Sequence, residues 1–550
     1  MEFYENDEGN DESYDSYASD DTSESDFDFD YDELVDNLDK VELSDEDMDL
    51  YAEELNSMNE SYATDSGFTS ISLKEPTPIA IFRNFFTKEI LNLIIDQTNI
   101  YGNEKKQSST QRKISKWKDV SREEIESFLG LVMLMVINDL PNIKLYWSKD
   151  MVFHNAFISS IMSRDRFLEI FYNLHLANNS LQPKQESKDY SKIYKVKNFI
   201  EILRRNFQKN YNFGRYGTID ESMIKFKGRS SIKQYLPLKP IKRGYKVWCL
   251  CDPITGYLFN YQIYLGKEET RGKEISLGER VVFDLISSHN FQGKYLYFDN
   301  FFTSLKLLEN LKLQNIKACG TIRPDRAGIP SDFTKKNKMQ RGDCKSIITS
   351  NSIVFIWMDT KHVFLASNYH KNNEVVSISR RLQNGQRIAI ACPKAVKDYN
   401  QFSHGVDRFS QRISCYNLDR KSKRNWLRMF IYFLNASISN SFICYNQLVQ
   451  NKLTYLNYMV SLAKALCSGS ERSRRGRPPS ENRSKLASPK TVLSFDHEMH
   501  LPVKGKRRRC AYCSTKEANF RSNIECFTCK LPFCLKEEKN CFFDYHKVFM

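Results

Sequence analysis

The sequence predicts a multidomain α+β protein, and three observations along its 550 residues lead to that class. Apolar residues recur at helical spacing from about residue 79 to residue 210, and after Gly214 the period shortens from 3.6 to 2, as in strands. Strand-like segments then alternate with helical ones, and six cysteines follow residue 509. We therefore expect a helical domain, a mixed core and a small cysteine-rich domain.

Charge is distributed unevenly along the chain. The net charge is +13, but the first sixty residues hold 25 Asp and Glu against one Lys, so the remainder carries about +37. The strongly basic remainder of the chain is expected to bind a polyanion. Nucleic acid fits better than an anionic membrane surface, because no amphipathic anchor or lipidation signal is present. Residues 1–70 lack periodic apolar content, which predicts a disordered acidic tail. This tail either keeps the protein soluble or competes with DNA for the basic part of the chain.

The sequence shows no targeting signal for secretion or for a membrane. Its N-terminus lacks the cationic and apolar regions of a signal peptide, and no run of eighteen residues is free of polar interruption. The run 426–449 comes closest to a membrane span, but Asn and Ser residues break it, which favours a buried helix. We expect a soluble intracellular chain with no membrane partner and no small-molecule substrate.

Residues 78–213 predict a helical domain. Four amphipathic segments place apolar residues three and four positions apart, and Ser121 precedes Glu123 and Glu124 as a predicted N-cap. Helical character returns at 417–467, which we expect to complete this domain. Trp426 there either stacks on an unpaired DNA base or begins the buried helix.

Residues 214–319 predict the mixed core. Three strands, 216–226, 245–252 and 257–265, the last two joined by the turn DPITG, are followed by a helix, the strand KYLYFD, a second helix and the strand KACGTI. This is the order of a ribonuclease H-like sheet, which we expect residues 393–416 to complete. Residues 320–392 predict a β-rich insertion, and residues 468–508 a basic flexible linker.

Three aspartates are candidate catalytic metal ligands. Asp220 lies on the first core strand, Asp299 ends the fourth, and Asp407 opens a later helix. The first and fourth strands are neighbours in this fold order, and converging carboxylates suit two Mg²⁺ (or Mn²⁺) ions that promote phosphoryl transfer. For Asp407, capping of its helix is the structural alternative.

Basic residues supply candidate DNA contacts. Lys227 and Arg229 form a glycine turn after the first core strand, which either contacts phosphate or is a solvated hairpin. Arg475 and Arg477, in RGRP, have the form of an AT-hook that binds the minor groove, although a lone hook is also an ordinary linker sequence. The cluster KRRR at 506–509, with Lys504, suits nuclear import or attraction to the DNA backbone.

The C-terminal cysteines predict a zinc finger at 509–550. Two CxxC pairs at short separation are a strong zinc signal, because each chelates from one tight turn and the metal supplies folding energy to a short segment. Seven ligands leave a two-zinc, cross-braced site one short, so either an eighth ligand or a water completes it, or one site alone is complete. The candidate ligands are Cys510, Cys513, Cys526, Cys529, Cys534, Cys541 and His546.

Several motifs in one order resemble piggyBac-type transposases from about residue 78 to the C-terminus. The matching stretches are FFTKEILNLIIDQTN, YWSKD, NLHLANN, IDESMIKFKGR with YLPLKP, FDNFFTS, CGTIRPDRAGIP, DYNQFSHGVD, RGRPP and the terminal cysteine motif. The resemblance implies a ribonuclease H-like catalytic core with an inserted domain, and a helical domain for dimerisation and DNA binding.

The resemblance also implies an activity. Members cut and paste DNA through hydrolytic nicking, hairpin formation and joining to TTAA targets, and their three metal-binding aspartates fall on Asp220, Asp299 and Asp407. It implies a homodimer on double-stranded DNA, with the finger binding the transposon end, or, alternatively, binding protein. The expected location is the nucleus.

Position 410 departs from the family pattern. Members commonly have a further Asp three residues after the third catalytic one, and this chain has Ser410. A hydroxyl supplies neither the charge nor the basicity of a carboxylate. The alternative function is therefore a domesticated, transposase-derived DNA-binding or chromatin protein that does not cut.

Overall fold

The chain is described by a computed structural model. Its structure is described for residues 66–69, 76–108, 117–237, 239–267, 275–334, 339–381, 386–416, 422, 424–469, 500–515, 518–536 and 538–547. The chain divides into two compact units, Met1–Arg472 and Ser473–Met550. Residues 1–65 and residue 70 of the predicted acidic tail, the AT-hook arginines Arg475 and Arg477 and most of the predicted linker lie outside the described residues. The predicted disordered tail extends too far at its C-terminal end, because Gly67–Phe68 is a strand that pairs with Tyr211–Asn212.

The helices among the described residues mostly follow the periodic apolar segments. In chain order they are α1 (Pro78–Phe85), α2 (Lys88–Ser108), α3 (Arg122–Ile137), α4 (Ala156–Ile161), α5 (Arg164–Asn173), α6 (Tyr194–Lys209), α7 (Leu277–Ile286), α8 (Leu305–Leu313), α9 (Ser331–Thr334), α10 (Lys394–Phe402), α11 (Gly405–Cys415), α12 (Asn425–Leu448), α13 (Tyr455–Cys467) and α14 (Cys541–Lys547). The Ser121 hydroxyl caps α3 by accepting from the Glu124 N–H, and the Glu124 side chain accepts in return from the Ser121 N–H.

The strands occupy the core and the C-terminal unit. In chain order they are β1 (Gly67–Phe68), β2 (Tyr211–Asn212), β3 (Tyr216–Lys225), β4 (Gln234–Tyr235), β5 (Arg243–Cys251), β6 (Leu258–Ile263), β7 (Tyr295–Phe298), β8 (Lys317–Thr321), β9 (Cys344–Ile348), β10 (Ile353–Met358), β11 (His362–Ser367), β12 (Val375–Arg381), β13 (Arg387–Pro393), β14 (Pro502–Arg509), β15 (Arg521–Cys526), β16 (Leu535–Lys536) and β17 (Lys539–Asn540).

A nine-stranded sheet forms the centre of the first unit. Its order is β4-β5-β3-β7-β8-β11-β10-β9, with β6 also paired to β5. The pairs β3–β5 and β5–β6 are antiparallel, whereas β3–β7 and β7–β8 are parallel. Helix α7 connects β6 to β7, and α8 connects β7 to β8. The elements therefore follow the predicted succession of three antiparallel strands, helix, strand, helix, strand.

The region predicted as a β-rich insertion mostly extends this sheet. Strand β11 pairs with β8, and β10 and β9 add outside it, all antiparallel. Strands β12 and β13 form a separate two-stranded sheet. A second apolar cluster that includes Trp357 and Cys392 packs this region beside the main core.

Helix α12 is the run that most resembled a membrane span, and it is a buried core helix. Its Asn435, Ser437, Ser439, Asn440 and Ser441 side chains are each at most 3% exposed. No helix among the described residues meets the length and apolarity needed to cross a membrane. The polar residues of α12 serve packing and hydrogen bonding inside the protein.

Asn440 joins α12 to an end of the central sheet. Its amide nitrogen donates to the Leu258 carbonyl at 2.8 Å, and its carbonyl accepts from the Leu258 N–H at 2.9 Å. We expect Asn440→Ala to lower the free energy of unfolding by about 3 kcal/mol, because two buried backbone groups lose their partner. The measurement is chemical unfolding followed by tryptophan fluorescence.

Ser439 provides the matched control for this prediction. It is equally buried on the same helix, and its hydroxyl has no hydrogen-bond partner within the described part of the chain. Ser439→Ala should therefore change stability by less than about 1 kcal/mol. Equal losses in both variants would show that the Asn440 contacts do not stabilise the sheet.

Candidate active site and metal clusters

The pairing of β3 with β7 brings Asp220 and Asp299 together. The parallel register matches Ile219 to Phe298, so the two aspartates are the next neighbours across the sheet. Side-chain oxygens of Asp220, Asp299 and Glu221 all lie within 4.8 Å of one another. We call these three residues the acidic cluster. Glu221 was not among the candidates from the sequence.

Burial makes the charges of the acidic cluster costly. It is the main cause that raises the pKa of Asp220 to about 7, and the nearby Glu221 and Asp299 carboxylates add to the effect. Burial also raises the pKa of Asp299, with Glu221 as the next cause. Carboxylates held this close favour a bound cation.

Two lysines partly balance the acidic cluster. Lys239 Nζ lies 3.8 Å from Asp220 Oδ2 and 3.5 Å from Glu221 Oε1. Lys246 Nζ lies 3.6 Å from Glu221 Oε2 and 4.4 Å from the centre of the Phe301 ring. The sequence analysis identified neither lysine. Lys239 reaches the cluster from a turn and Lys246 from the neighbouring strand, and contacts between separate elements cannot be read from local sequence.

Asp407 lies outside the acidic cluster. Its Oδ2 is 3.4 Å from His404 Nδ1, and its side chain is 65% exposed. The hydrogen bond to His404 is the main cause that lowers the pKa of Asp407, and the charge of Lys239 contributes in the same direction. The structure thus brings two of the three predicted aspartates together, with Asp407 within electrostatic range of the lysine that pairs with Asp220.

Two glycines let the Asp407 helix approach the sheet. A Cβ on Gly405 would lie 2.9 Å from Pro253 Cα and 3.0 Å from Thr218 Oγ1. Gly256, in the DPITG turn with φ of +69°, would place a Cβ 3.1 Å from the Phe409 nitrogen. Larger residues at either position would push α11 away from β3, and Asp407 with it.

Ser410 faces the central sheet one turn after Asp407. Its hydroxyl donates to Ser222 Oγ at 3.1 Å, and Ser222 lies two residues after Asp220 on β3. Alternate residues of a strand share a face, so Ser410 approaches the face of β3 that bears Asp220. At position 410, where the sequence resemblance implies a further carboxylate, this chain therefore has a neutral hydroxyl that donates a hydrogen bond.

The other candidate DNA contacts differ in their setting. Lys227 and Arg229 are exposed in the turn after β3. Trp426 is 6% exposed at the start of α12, and its ring centre lies 5.5 Å from that of His175. This burial favours the structural alternative for Trp426, because a stacked base needs a free ring face. Arg475 and Arg477 lie outside the described residues.

The C-terminal unit contains two clusters of metal-ligand type. In each, four ligand atoms lie within 4.8 Å of one another. The first cluster is Cys510, Cys513, Cys534 and Cys541, and the second is His500, Cys526, Cys529 and His546. All seven predicted ligands are used, and His500 is the eighth. The odd count of seven in the sequence leaves open an eighth ligand, a water or a single complete site, and the structure adds His500 to the second cluster.

The chemistry of both C-terminal clusters fits zinc. In the second, His500 Nδ1 lies 3.4 Å from Cys526 Sγ and 3.2 Å from Cys529 Sγ. His546 Nδ1 contacts the Phe542 carbonyl at 2.6 Å, which leaves Nε2 facing Cys529 at 3.6 Å. In the first, burial with the neighbouring Cys510 raises the pKa of Cys534 to about 11, so this thiol keeps its proton at neutral pH until a bound metal displaces it.

The two clusters also interleave along the chain. His500 and His546 of the second cluster enclose three cysteine pairs, of which the first and third belong to the first cluster and the middle one to the second. Neither cluster is therefore contained in one continuous segment. Thiolate and imidazole are the ligands of structural zinc, whereas the oxygen ligands of the acidic cluster suit a hard cation such as Mg²⁺ or Mn²⁺. The residues present therefore fit two different kinds of metal in the two units.

Comparison with known proteins identifies the family of the chain. A family model described as Transposase IS4 matches residues 77–442. The human PiggyBac transposable element-derived protein 3 is 29% identical over 483 residues, which cover 86% of this chain and 76% of that protein. The human PiggyBac transposable element-derived protein 2 is 28% identical over 469 residues, covering 82% and 75%.

A solved structure shares the fold. The cryo-EM structure of a piggyBac transposase synaptic complex with hairpin DNA aligns with a TM-score of 0.66 at 24% identity, covering 86% of this chain and 97% of that one. The matched family model spans well over half of the chain, from the first helix to within α12. The chain therefore belongs to the piggyBac transposase family.

Proposed function

We propose that the protein is a DNA transposase that cuts and pastes a DNA element at TTAA sites, using Mg²⁺ or Mn²⁺ held by Asp220, Asp299 and Asp407. The observation that carries this proposal is the convergence of Asp220 and Asp299 at the centre of the sheet. The strand order and parallel β3–β7 pairing support a ribonuclease H-like core. We propose that Asp407 joins the other two aspartates when metal and DNA are bound.

The proposed chemistry needs no protein nucleophile. A bound divalent metal would polarise the scissile phosphate and lower the pKa of an attacking water. Asp220 and Asp299, fixed by strand pairing, hold and orient the reacting groups, and α11 carries Asp407 on the same side of the sheet. Water opens the first strand and a 3′ hydroxyl attacks next, so the side chains supply position and charge and are not themselves modified.

The proposed partner is double-stranded DNA at the transposon ends and at the TTAA target. The net charge of about +37 outside the acidic tail supports it, as does the hairpin DNA in the structural neighbour's title. Lys227 and Arg229 are exposed for phosphate contact. We propose that the zinc-bound finger binds the transposon end, that Arg475 and Arg477 add minor-groove contacts, and that the protein acts as a homodimer in the nucleus.

Position 410 favours a second candidate function. With Ser410 hydrogen-bonded to Ser222, α11 offers one carboxylate, Asp407, in the turn where relatives commonly carry two. A domesticated protein that binds DNA or chromatin without cutting would keep the fold and the finger. The intact set of Asp220, Asp299 and Asp407 favours the enzyme.

Strand nicking separates the two functions. The purified protein is incubated with a cognate transposon end and Mg²⁺, beside Asp299→Ala. We expect the wild type to nick the end and the variant to lose at least about 1,000-fold in rate, because a metal ligand is removed. Absence of wild-type nicking on a verified end sequence would leave the binding function, and nicking that disappears in the variant would exclude it.

A further inference from the structure

Lys239 lies among the carboxylates of the acidic cluster, where a cation is expected. Its ammonium is 3.8 Å from Asp220 and 3.5 Å from Glu221, and those two side chains are 18% and 12% exposed. Side-chain oxygens of the three carboxylates lie within 4.8 Å of one another beside this ammonium. The positive charge of Lys239 offsets part of the repulsion among these carboxylates, which is strong in a partly buried site.

Lys246 has a different setting, although it contacts the same cluster. It is 9% exposed on β5, and it lies against the Phe301 ring as well as Glu221. Because Lys246 lies on a central strand, its ion pair with Glu221 does not depend on the conformation of the turn that carries Lys239. Its contact with the cluster is with Glu221 Oε2, whereas Lys239 contacts Glu221 Oε1.

Lys239 instead lies in a turn. The connection between β4 and β5 is closed by the Leu236 N–H donating to the Lys242 carbonyl, and the Lys239 N–H donates to the Leu236 carbonyl. The Lys239 side chain is 31% exposed, so its flexible stem can leave the carboxylates without disturbing a strand. A divalent cation bound to Asp220 would repel the ammonium and compete for the same oxygens.

We propose that Lys239 is an internal counter-ion that holds Asp220 and Glu221 together before metal binding and that a divalent metal displaces. This rests on the proposed function, because it takes the acidic cluster as the metal site. Lys239 and the metal then bind in competition, and the charge at position 239 sets how tightly the site takes up its cation. Glu221, held by Lys246, remains as a fixed carboxylate on the cluster.

The first test labels amines in the wild-type protein. A brief treatment with a limiting amine-reactive ester, followed by peptide mass spectrometry, compares Lys239 with Lys242 with and without Mg²⁺. Lys242 is an exposed lysine of the same turn and serves as the internal control. We expect Mg²⁺ to raise labelling of Lys239 several-fold and to leave Lys242 unchanged, and we expect no change in Asp299→Ala. Unchanged labelling of Lys239 at saturating Mg²⁺ would overturn the proposal.

The second test measures Mn²⁺ binding by paramagnetic resonance, with no need for cleavage. Lys239→Met should bind Mn²⁺ about tenfold more tightly, because a competing positive charge is gone. Lys239→Arg keeps the charge and should stay within about twofold of the wild type, as should Lys242→Met. Equal or weaker binding by Lys239→Met would contradict the proposal, and if that variant fails to fold, the labelling of the wild type decides.

Mn²⁺ binding by Asp299→Ala and by Lys239→Met separates a failure of the metal site from a failure of the counter-ion role. If Asp299→Ala binds Mn²⁺ as well as the wild type does, the acidic cluster is not the metal site and the proposed function loses its support. If Asp299→Ala loses binding while Lys239→Met equals the wild type, the metal site stands and Lys239 is an ordinary ion pair.

Discussion

Removal of zinc is expected to unfold residues 500–547 and to leave the first unit intact. The C-terminal unit buries a small apolar cluster around Phe533 and Tyr545, made largely of the metal-ligand cysteines themselves. Structural zinc supplies about 10 to 16 kcal/mol of folding free energy in finger peptides at neutral pH. Because the two ligand sets interleave, losing either metal should loosen both.

The distribution of tryptophan allows each unit to be followed separately. All five tryptophans lie at or before residue 426, so their fluorescence reports the first unit alone. After chelation we expect rapid proteolysis within 500–547 with unchanged tryptophan fluorescence. Metal analysis should find two zinc ions per chain, and fewer in Cys534→Ser. The control is Cys344→Ser, which changes an exposed cysteine outside both clusters.

Resistance of residues 500–547 to protease after complete metal removal would contradict this account. Such a result would mean that the apolar cluster and the β14–β15 pairing hold the unit without metal.

Replacing Asp220 with Asn is expected to lower nicking at least about 1,000-fold while stabilising the metal-free protein at pH 8. Burial raises the pKa of Asp220 to about 7 from an ordinary 3.8, so the folded state holds this proton more tightly than the unfolded state does. The stability of the wild type therefore falls as the pH rises from about 4 to about 7 and stays lower above that range. Asn has no such cost, so we expect the variant to gain about 2 kcal/mol at pH 8.

Denaturant unfolding at pH 4 and at pH 8, in chelator, measures this difference. The gain from Asp220→Asn should be present at pH 8 and vanish at pH 4, and added Mg²⁺ should stabilise the wild type more than the variant. Asp284→Asn changes an exposed carboxylate outside the cluster and should show no pH-dependent gain. A variant that matches the wild type in stability at pH 8 and still nicks DNA would contradict the role assigned to Asp220.

The convergence of Asp220 and Asp299 could be predicted from the sequence, because it follows from strand order. Three strands, a helix and a fourth strand place the first and fourth strands side by side in the predicted sheet, and the observed register makes the two aspartates neighbours. Asp407 shows the limit of this reasoning. Strand order carries no information on how far its helix lies from the sheet, and α11 places its carboxylate outside the cluster.

Glu221, Lys239 and Lys246 could not be predicted in the same way. Neighbouring residues on a strand point to opposite faces, so alternation gives no reason to place the Glu221 carboxylate beside that of Asp220. The long Glu221 side chain reaches the cluster, and the lysines reach it from a turn and from β5. Contacts of this kind depend on side-chain length and turn geometry, which periodicity does not encode.

The finger shows where spacing stops being a guide to ligands. Spacing identified seven candidate ligands, and the requirement for four per zinc left open an eighth ligand, a water or a single complete site. His500 lies ten positions before the first CxxC, a separation that matches no short motif, and the pairing of β14 with β15 returns it to Cys526. The two alternatives for Trp426 differ in how exposed its side chain must be, which the sequence does not give. Trp426 is 6% exposed, which favours a place at the start of the buried helix.

A change of metal preference tests the central claim most directly. The claim is that Asp299 holds the divalent cation that promotes nicking, and a thiolate at this position should bind Mn²⁺ in preference to Mg²⁺ because it is a softer ligand. The measurement is the nicking rate of wild type and Asp299→Cys on one cognate transposon end, in each metal. We predict that Asp299→Cys is inactive in Mg²⁺ and recovers activity in Mn²⁺, whereas equal rates for the two proteins in Mg²⁺ would contradict the claim.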